Sequence, residues 1–361
     1  MDNMQRENYK IIQYKNAIYE GYIINQKKEG KGKIEYNNGD TFEGFFINNK
    51  KEKKGIHIYS NGSKYEGDYY NDKKEGKGIF IFSNGDKYEG DFKNDKIDGK
   101  GIYYYKNGDK YEGDFKNDLR NGEGIFLFKN GNKYEGHFEN DKFEGYGKIK
   151  YTNGTIFEGE FKNGIKNGKA VYYYNNGDRY EGNMNNGKNQ GKWIYYFKNG
   201  DKYEEEYNEK NEIISNKKNF YYNNGDKYEG MCNNGKKEGK GIYMYNDGNK
   251  YEGEFKNDKK EGEGKLQFKN GDVYEGNWKN GKQNGKGLYK YNNGSKYDGN
   301  WKDGKKEGKG IYFFETGNKY DGDWKNDERD GEAKISDING EQRFCQYSKG
   351  VFNKFIEKKK I

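Results

Sequence analysis

Residues 88–108 read YEGDFKNDKIDGKGIYYYKNG. With Tyr88 as slot 0, glycine falls at slots 2, 11, 13 and 20 (Gly90, Gly99, Gly101, Gly108), and rings fall at slots 0, 4, 15 and 17 (Tyr88, Phe92, Tyr103, Tyr105). Rings separated by single residues have the period of strands. The Asn107-Gly108 pair is a hairpin signal. The stretch therefore reads as strand, turn and strand.

The same spelling recurs along the chain. The triplet aromatic-acid-Gly, with few departures, begins at Tyr19, Phe42, Tyr65, Tyr88, Tyr111, Tyr134, Phe157, Tyr180, Tyr203, Tyr228, Tyr251, Tyr274, Tyr297 and Tyr320. Every step is 23 residues except Tyr203 to Tyr228, which is 25. Fourteen repeats thus run from Tyr19 to Gln342, about nine-tenths of the 361 residues, and leave no room for a separate catalytic domain.

Composition says what such a chain can bury. Apolar residues make up 30% and aromatics alone 18%, so a thick aliphatic core is excluded. The low mean hydropathy of −1.51 and 35% charged residues approach the disordered class, but 38 Tyr and 22 Phe argue for burial. A thin, aromatic-lined, glycine-punctuated β structure remains.

Turn geometry constrains the register. A two-residue loop at Asn-Gly would put slots 0 and 15 on opposite faces of the sheet. A three-residue loop with left-handed glycine is expected instead. The register expected with it pairs slot 17 with the next slot 0, slot 15 with the slot-2 glycine, and the slot-13 glycine with the slot-4 ring. Mid-strand glycine costs about 0.5–1 kcal/mol relative to Ala, so its recurrence needs a purpose: bare backbone gives a neighbouring ring a floor to lie on. The opposite face, slots −1, 1, 3 and 5, carries Lys87, Glu89, Asp91 and Lys93, a mixed-charge ladder that keeps the strands soluble.

The pattern from Tyr88 to Gly108, Tyr-Glu-Gly-x-Phe-x-Asn-x-x-x-x-Gly-x-Gly-x-x-x-Tyr-x-Asn-Gly, resembles the MORN repeat, and the likeness extends from Tyr19 to about Gly340. The resemblance implies an all-β fold: an elongated, twisted antiparallel sheet of tandem hairpins, curled into a trough with an aromatic inner face. For members made only of repeats, some of them ciliary, it implies a non-enzymatic scaffold or adaptor that holds protein partners at the cytoskeleton or cell cortex. MORN repeats also accompany phosphatidylinositol-phosphate kinases and membrane-joining proteins, which gives the alternative of a peripheral adaptor binding anionic phospholipids.

The expected organisation is a tail and half-repeat cap over 1–18, repeats 1–8 over 19–202, an irregular ninth repeat over 203–227, repeats 10–14 over 228–342, and a degenerate cap with a basic tail, Lys358-Lys359-Lys360, over 343–361. The ninth repeat replaces its slot-2 glycine by Glu205 and loses its Gly-x-Gly to Asn216-Lys217-Lys218. It reads either as drift in a tolerated loop or as a bend. Ala170 and Trp193, just before it, also replace glycines.

Candidate partner-binding residues are Trp278, Trp301 and Trp324, which share slot 4 of consecutive repeats, with Tyr103 and Tyr105. Packing accounts for a slot-4 ring in any repeat; the further reading is an anchor row for a peptide or a second copy. Candidate lipid-headgroup residues form the slot −1 column, Lys64, Lys87, Lys110, Lys133, Lys250, Lys296 and Lys319, with a Glu or Asp two residues on. Exposed edge strands favour a homodimer.

Sixty-eight basic against 60 acidic residues give +8, too slight an excess to argue for nucleic acid, which is an unlikely partner. No cofactor, metal or catalytic site is expected. The Gly76-Lys77-Gly78 type of run has no strand-to-helix setting for a phosphate. His57 and His137 occupy ordinary repeat slots, and Cys232 and Cys345 are too few for a zinc site or a disulfide framework. With no signal peptide or membrane-spanning run, a cytoplasmic protein is expected, so Asn61 and Asn153 read as turns rather than glycosylation sites.

Overall fold

The computed structural model describes residues 8–233 and 235–356. The Lys358-Lys359-Lys360 tail lies outside them, as do residues 1–7. Thirty-one strands form one open antiparallel sheet, with no helix among the described residues. Each described pairing joins strands adjacent in the chain, so the topology is a plain meander. The chain divides into two compact segments, Met1–Asn189 and Gln190–Ile361.

Each repeat spends its 23 residues on two strands and two different turns. In the fourth, strand Lys87–Lys93 returns as Lys96–Tyr104 through Asn94-Asp95. Both turn residues are left-handed, with φ of 48° and 71°, which makes a tight type I′ hairpin. The second turn is the expected three-residue loop, Lys106-Asn107-Gly108. The Tyr105 N–H donates to the Asp109 carbonyl at 3.0 Å, the Gly108 N–H donates to the Tyr105 carbonyl at 3.0 Å, and Gly108 has φ of 97°.

The register differs from the expected one by two residues. Tyr111 pairs with Tyr103, Gly113 with Gly101, and Phe115 with Gly99. A three-residue loop closes on slots 17 and 21, so slot 0 meets slot 15 rather than slot 17. A shift of two keeps every side chain on its face, so the division into an aromatic and a charged face stands. What changes is the partner: ring opposes ring, glycine opposes glycine, and only the slot-4 ring faces a glycine, at slot 11.

This pairing gives the glycines their purpose. Gly90 and Gly101 sit opposite each other, and the ring of Tyr88 lies flat over both. A Cβ built on Gly90 would stand 2.3 Å from the Tyr88 hydroxyl, and one on Gly101 would stand 2.4 Å from the same ring. The hydroxyl reaches past the glycines to donate to the Asp91 carbonyl at 3.0 Å. Phe92 and Phe115 then close on Tyr88 edge-on, with centroids 5.2 and 5.1 Å away, a favoured aromatic geometry. Tyr88 is fully buried by this one layer.

Beyond the glycine pair the strands slip. Phe92 pairs with Ile97, leaving Asp98, Gly99 and Lys100 opposite Asp91 alone. Gly99 takes φ of 121° at this bulge, and the Asp91 carboxylate accepts the Lys100 N–H at 2.9 Å.

Candidate functional site

The aromatic face has a buried floor and a half-exposed edge. Slots 0 and 4 form the floor. Slots 15 and 17 form the edge, where rings meet in an unbroken file: Phe80 and Phe82 at 4.5 Å, Phe82 and Tyr103 at 5.5 Å, Tyr103 and Tyr105 at 4.5 Å, Tyr105 and Phe126 at 5.8 Å. In the second segment a like file runs through Phe268, Tyr289, Tyr291, Tyr312 and Phe314 at 4.5–5.7 Å. All but Phe126 stay partly accessible. Stacking along the strand sets the file, because slots 15 and 17 are same-face neighbours and the next repeat stands two strands away.

Polar groups pin its outer rim. The Tyr103 hydroxyl donates to Asp86 at 2.9 Å, and Tyr243 and Tyr289 donate to Asp226 and Asp272 at 2.7 and 2.8 Å. Burial opposes the charge of Asp86, but the N–H of Lys106, the Asn84 amide and the Tyr103 hydroxyl outweigh it and hold the carboxyl below its usual range.

A cation stands over this face at slot 9, a position sequence reasoning passed over. Lys74 lies above Tyr59, Tyr65 and Phe80 at 4.9–5.8 Å, and Lys306 above Tyr291, Tyr297, Tyr312 and Trp324 at 5.0–5.5 Å. Burial lowers the pKa of both, and nearby aspartates partly restore it. The signal was there, a Lys or Arg nine residues after the leading ring, in a row easily taken for bulk lysine.

Trp278, Trp301 and Trp324 belong to the floor. Each is 5–6% exposed, and each indole N–H donates to a glycine carbonyl, of Gly264, Gly287 and Gly310, at 3.0–3.1 Å. Tyr103 and Tyr105 lie in the half-exposed file. The structure therefore separates the five partner-binding candidates into two layers.

The slot −1 lysines are on the other face and mostly engaged. Lys64, Lys110 and Lys133 pair with Glu66, Glu112 and Glu135 at 2.9–3.1 Å, Lys250 with Glu252 at 3.5 Å, and Lys87 with Glu89. Lys296 and Lys319, followed by the shorter Asp298 and Asp321, rest instead on Phe313, at 4.7 and 5.9 Å. Between these charged rows runs an isoleucine row, Ile102 opposite Glu89 and Glu112. Open grooves lie on this face. One of about 1070 Å³ has the glycine pairs Gly230/Gly241, Gly253/Gly264 and Gly276/Gly287 in its lining, between Glu229, Glu252 and Glu275 on one side and Lys240 and Lys286 on the other.

His57 is stacked on Tyr59 at 4.1 Å, and burial, with Lys51 beside it, lowers its pKa. His137 sits 3.1 Å from Glu123. Among the described residues no cluster of three His, Cys, Asp or Glu side chains is placed to hold a metal ion, and no helix is long and apolar enough to cross a membrane.

Compared with known families, the chain matches the MORN repeat twelve times, at 19–41, 42–64, 65–87, 88–110, 111–133, 134–156, 157–179, 228–250, 251–273, 274–296, 297–319 and 320–342. The two repeats left out, 180–202 and 203–227, contain Trp193 and Glu205 in glycine slots. No curated protein matches. Among solved structures, the TCP10 domain of CPAP from Danio rerio, in complex with a peptide of STIL, is 14% identical, with a TM-score of 0.38 over 62% of this chain and 93% of that one. The SAS-4 (dCPAP) TCP domain of Drosophila melanogaster, in complex with a proline-rich motif of Ana2, is 14% identical, with a TM-score of 0.30 over 49% of this chain and 90% of that one. Neither likeness is close enough to carry an argument about function.

Proposed function

The chain belongs to the MORN-repeat family, and from that premise we propose that it is a non-enzymatic scaffold or adaptor, holding protein partners at the cytoskeleton, cilium or cell cortex from the cytoplasmic side. One observation supports the reading above others: a file of half-buried rings, Phe82, Tyr103 and Tyr105 among them, runs along a face that no second layer of the described residues covers. Continuous apolar surface of this kind on a protein otherwise rich in charge marks a place where another molecule sits. Stiff aromatics lose little freedom on binding and bury much area.

The test is capture from native cytosol with the full chain and with Phe82→Ser/Tyr105→Ser, whose substitutions leave the buried floor intact, followed by localisation of the tagged chain. Specific proteins retained by the first and lost by the second support the reading. Equal retention, or none by either, contradicts it.

A second reading, binding of phosphoinositide headgroups, is favoured by Lys296 and Lys319, which hold no close carboxylate in the way Lys110 holds Glu112. Flotation with phosphoinositide vesicles that is unchanged in Lys296→Gln/Lys319→Gln would remove it. Strands Tyr9–Tyr14 and Val351–Phe355, the first and last described, expose Ile11 and Val351 and each have an edge without a partner among the described residues, which a second copy could pair with. Sedimentation showing only monomer at micromolar concentration would remove the homodimer.

A further inference from the structure

Of nine slot-9 cations, five meet an aspartate from the next repeat and one, Lys28, meets Asn49. In the type I′ turn two strands on, the second residue points its carboxylate back: Asp95 accepts the Lys74 N–H at 2.9 Å, Asp258 the Lys237 N–H at 2.9 Å, and Asp327 the Lys306 N–H at 2.9 Å. Asp258 also lies 3.5 Å from the Lys237 ammonium. One carboxylate thus answers a backbone N–H and a side-chain cation together.

Six turns have glycine at that position, one of them Gly235, which follows the irregular ninth repeat with Glu212 at its slot 9. Before Gly164 and Gly304 the slot-9 residue is neutral, Phe143 or Gln283, and needs no counter-ion. Before Gly187, Gly281 and Gly350 it is Lys166, Lys260 or Arg329. These three cations stand over rings without the aspartate. Lys166 is 4.0 Å from the centre of Phe157 and donates to the hydroxyls of Tyr151 and Tyr172 at 2.9 and 3.1 Å. Lys260 is 4.6 Å from the centre of Trp278. A Cβ on Gly281 would meet nothing within 4 Å, one on Gly350 would stand 4.0 Å from Glu328, and one on Gly187 would make an ordinary 3.4 Å contact with Ile165.

We propose that Lys166, Lys260 and Arg329, each facing a glycine where sister repeats present aspartate, are receiving sites for acidic side chains of a partner polypeptide. The occupant's chemistry is set by precedent within the chain, since an aspartate fills the same place in sister repeats. The N–H of slot 9 belongs to the non-hydrogen-bonded pair Phe161 and Lys166, or Phe255 and Lys260, of its hairpin, so it points toward the vacant place. A charge-assisted hydrogen bond to an incoming carboxylate would then replace contact with water. Burial alone, with no aspartate to offset it, lowers the pKa of Lys166 and Lys260 to about 8, as expected of cations short of a counter-ion. The inference rests on the scaffold reading and names the kind of partner segment that reading leaves open.

Titration of the full chain with a hexa-aspartate peptide tests it, beside Gly187→Asp/Gly281→Asp/Gly350→Asp, which supplies the missing carboxylates. The sister aspartates at φ near 70° show that the backbone accepts the change. The expected result is salt-sensitive binding by the wild type, weaker by about tenfold or more in the filled variant. Equal affinity of the two proteins, or binding of phosphatidylserine vesicles with no binding of the peptide, overturns it. If the filled variant folds poorly, Lys166→Gln/Lys260→Gln/Arg329→Gln must show the same loss, and unchanged affinity there overturns it equally. Native partners captured alike by wild type and filled variant would sink this inference and leave the scaffold standing. Peptide binding with no native partner captured would do the reverse.

Discussion

Residues 228–342 and residues 203–227 lie in the same compact segment and use the same alphabet of tyrosine, glycine, lysine and glutamate, but they hold together differently. In the first, glycine faces glycine, or in the last repeat Ala333, and a tyrosine lies across the pair, as Tyr251 does over Gly253 and Gly264. In the second, the glycine slots are filled: Glu205 stands opposite Trp193. Strand Lys202–Tyr207 then pairs with Lys217–Tyr221 at only three positions before the chain leaves the ladder. An ion pair does part of the work of the missing contact. The Glu205 side chain, 7% exposed, meets Lys218 at 2.8 Å and accepts the Tyr207 hydroxyl at 2.9 Å, and Lys218 lies 4.1 Å over Tyr203. The difference teaches that the leading ring tolerates no more than a methyl group beneath it, as Phe157 and Tyr320 do over Ala170 and Ala333, and that two large side chains there go with the loss of several pairs of ladder.

The largest expected effect separating the regions is alkaline. Burial raises the pKa of Tyr251, Tyr274, Tyr297 and Tyr320 above the ordinary value of 10.0. A raised folded pKa gives stability that is full below the unfolded pKa and is lost as pH climbs through the folded one. Repeats 10–14 should therefore stay protected from amide exchange up to about pH 10 and open together above it, whereas 203–227 should exchange faster at every pH. Next, Gly264→Val puts side chain where a Cβ alone comes 2.3 Å from the Tyr251 hydroxyl. It should cost about 3 kcal/mol in denaturant unfolding, against within about 0.5 kcal/mol for Glu209→Val on the exposed loop of the irregular repeat.

Glu205→Gln should cost about 2 kcal/mol, the scale of a hydrogen bond to a charged group, since it leaves Lys218 without its carboxylate. A neutral result would mean that the ion pair does not compensate for the lost glycines. Tyr251→Phe removes one hydroxyl that donates to the Glu254 carbonyl at 3.0 Å and should cost about 1 kcal/mol. Smallest is Lys260→Met. The folded pKa of Lys260 is lowered to about 8 from 10.5, so its burial burdens the fold fully below pH 8 and is relieved as pH rises toward 10.5. The variant should be more stable than wild type at pH 7, and the gain should fade across that window.

Much of this was legible in the residues. The 23-residue period, the division into two faces, the three-residue loop and the disruption around Glu205 follow from spacing alone. The register did not, because loop closure fixes it to a single residue and a shift of two leaves the faces unchanged. Asn94-Asp95 was unread as the second turn because Asp is a weaker sign of a left-handed residue than Gly, and the Asn-Gly of slots 19 and 20 drew the eye. The slot-9 cations were hidden by abundance: one lysine column in a chain with 68 basic residues carries no mark until the rings beneath Lys74 and Lys260 are seen. The tryptophan row was visible, but its depth was not.

That a ring resting on paired glycines is what holds a regular hairpin is tested most directly by a double-mutant cycle on Gly264→Ala and Tyr251→Ala, read as amide-exchange free energy in the hairpin of strands Lys250–Lys256 and Lys259–Gln267. If the added methyl group harms only by meeting the ring, it should cost much less once the ring is gone, with an interaction energy of at least about 1 kcal/mol. Costs that simply add would contradict the account.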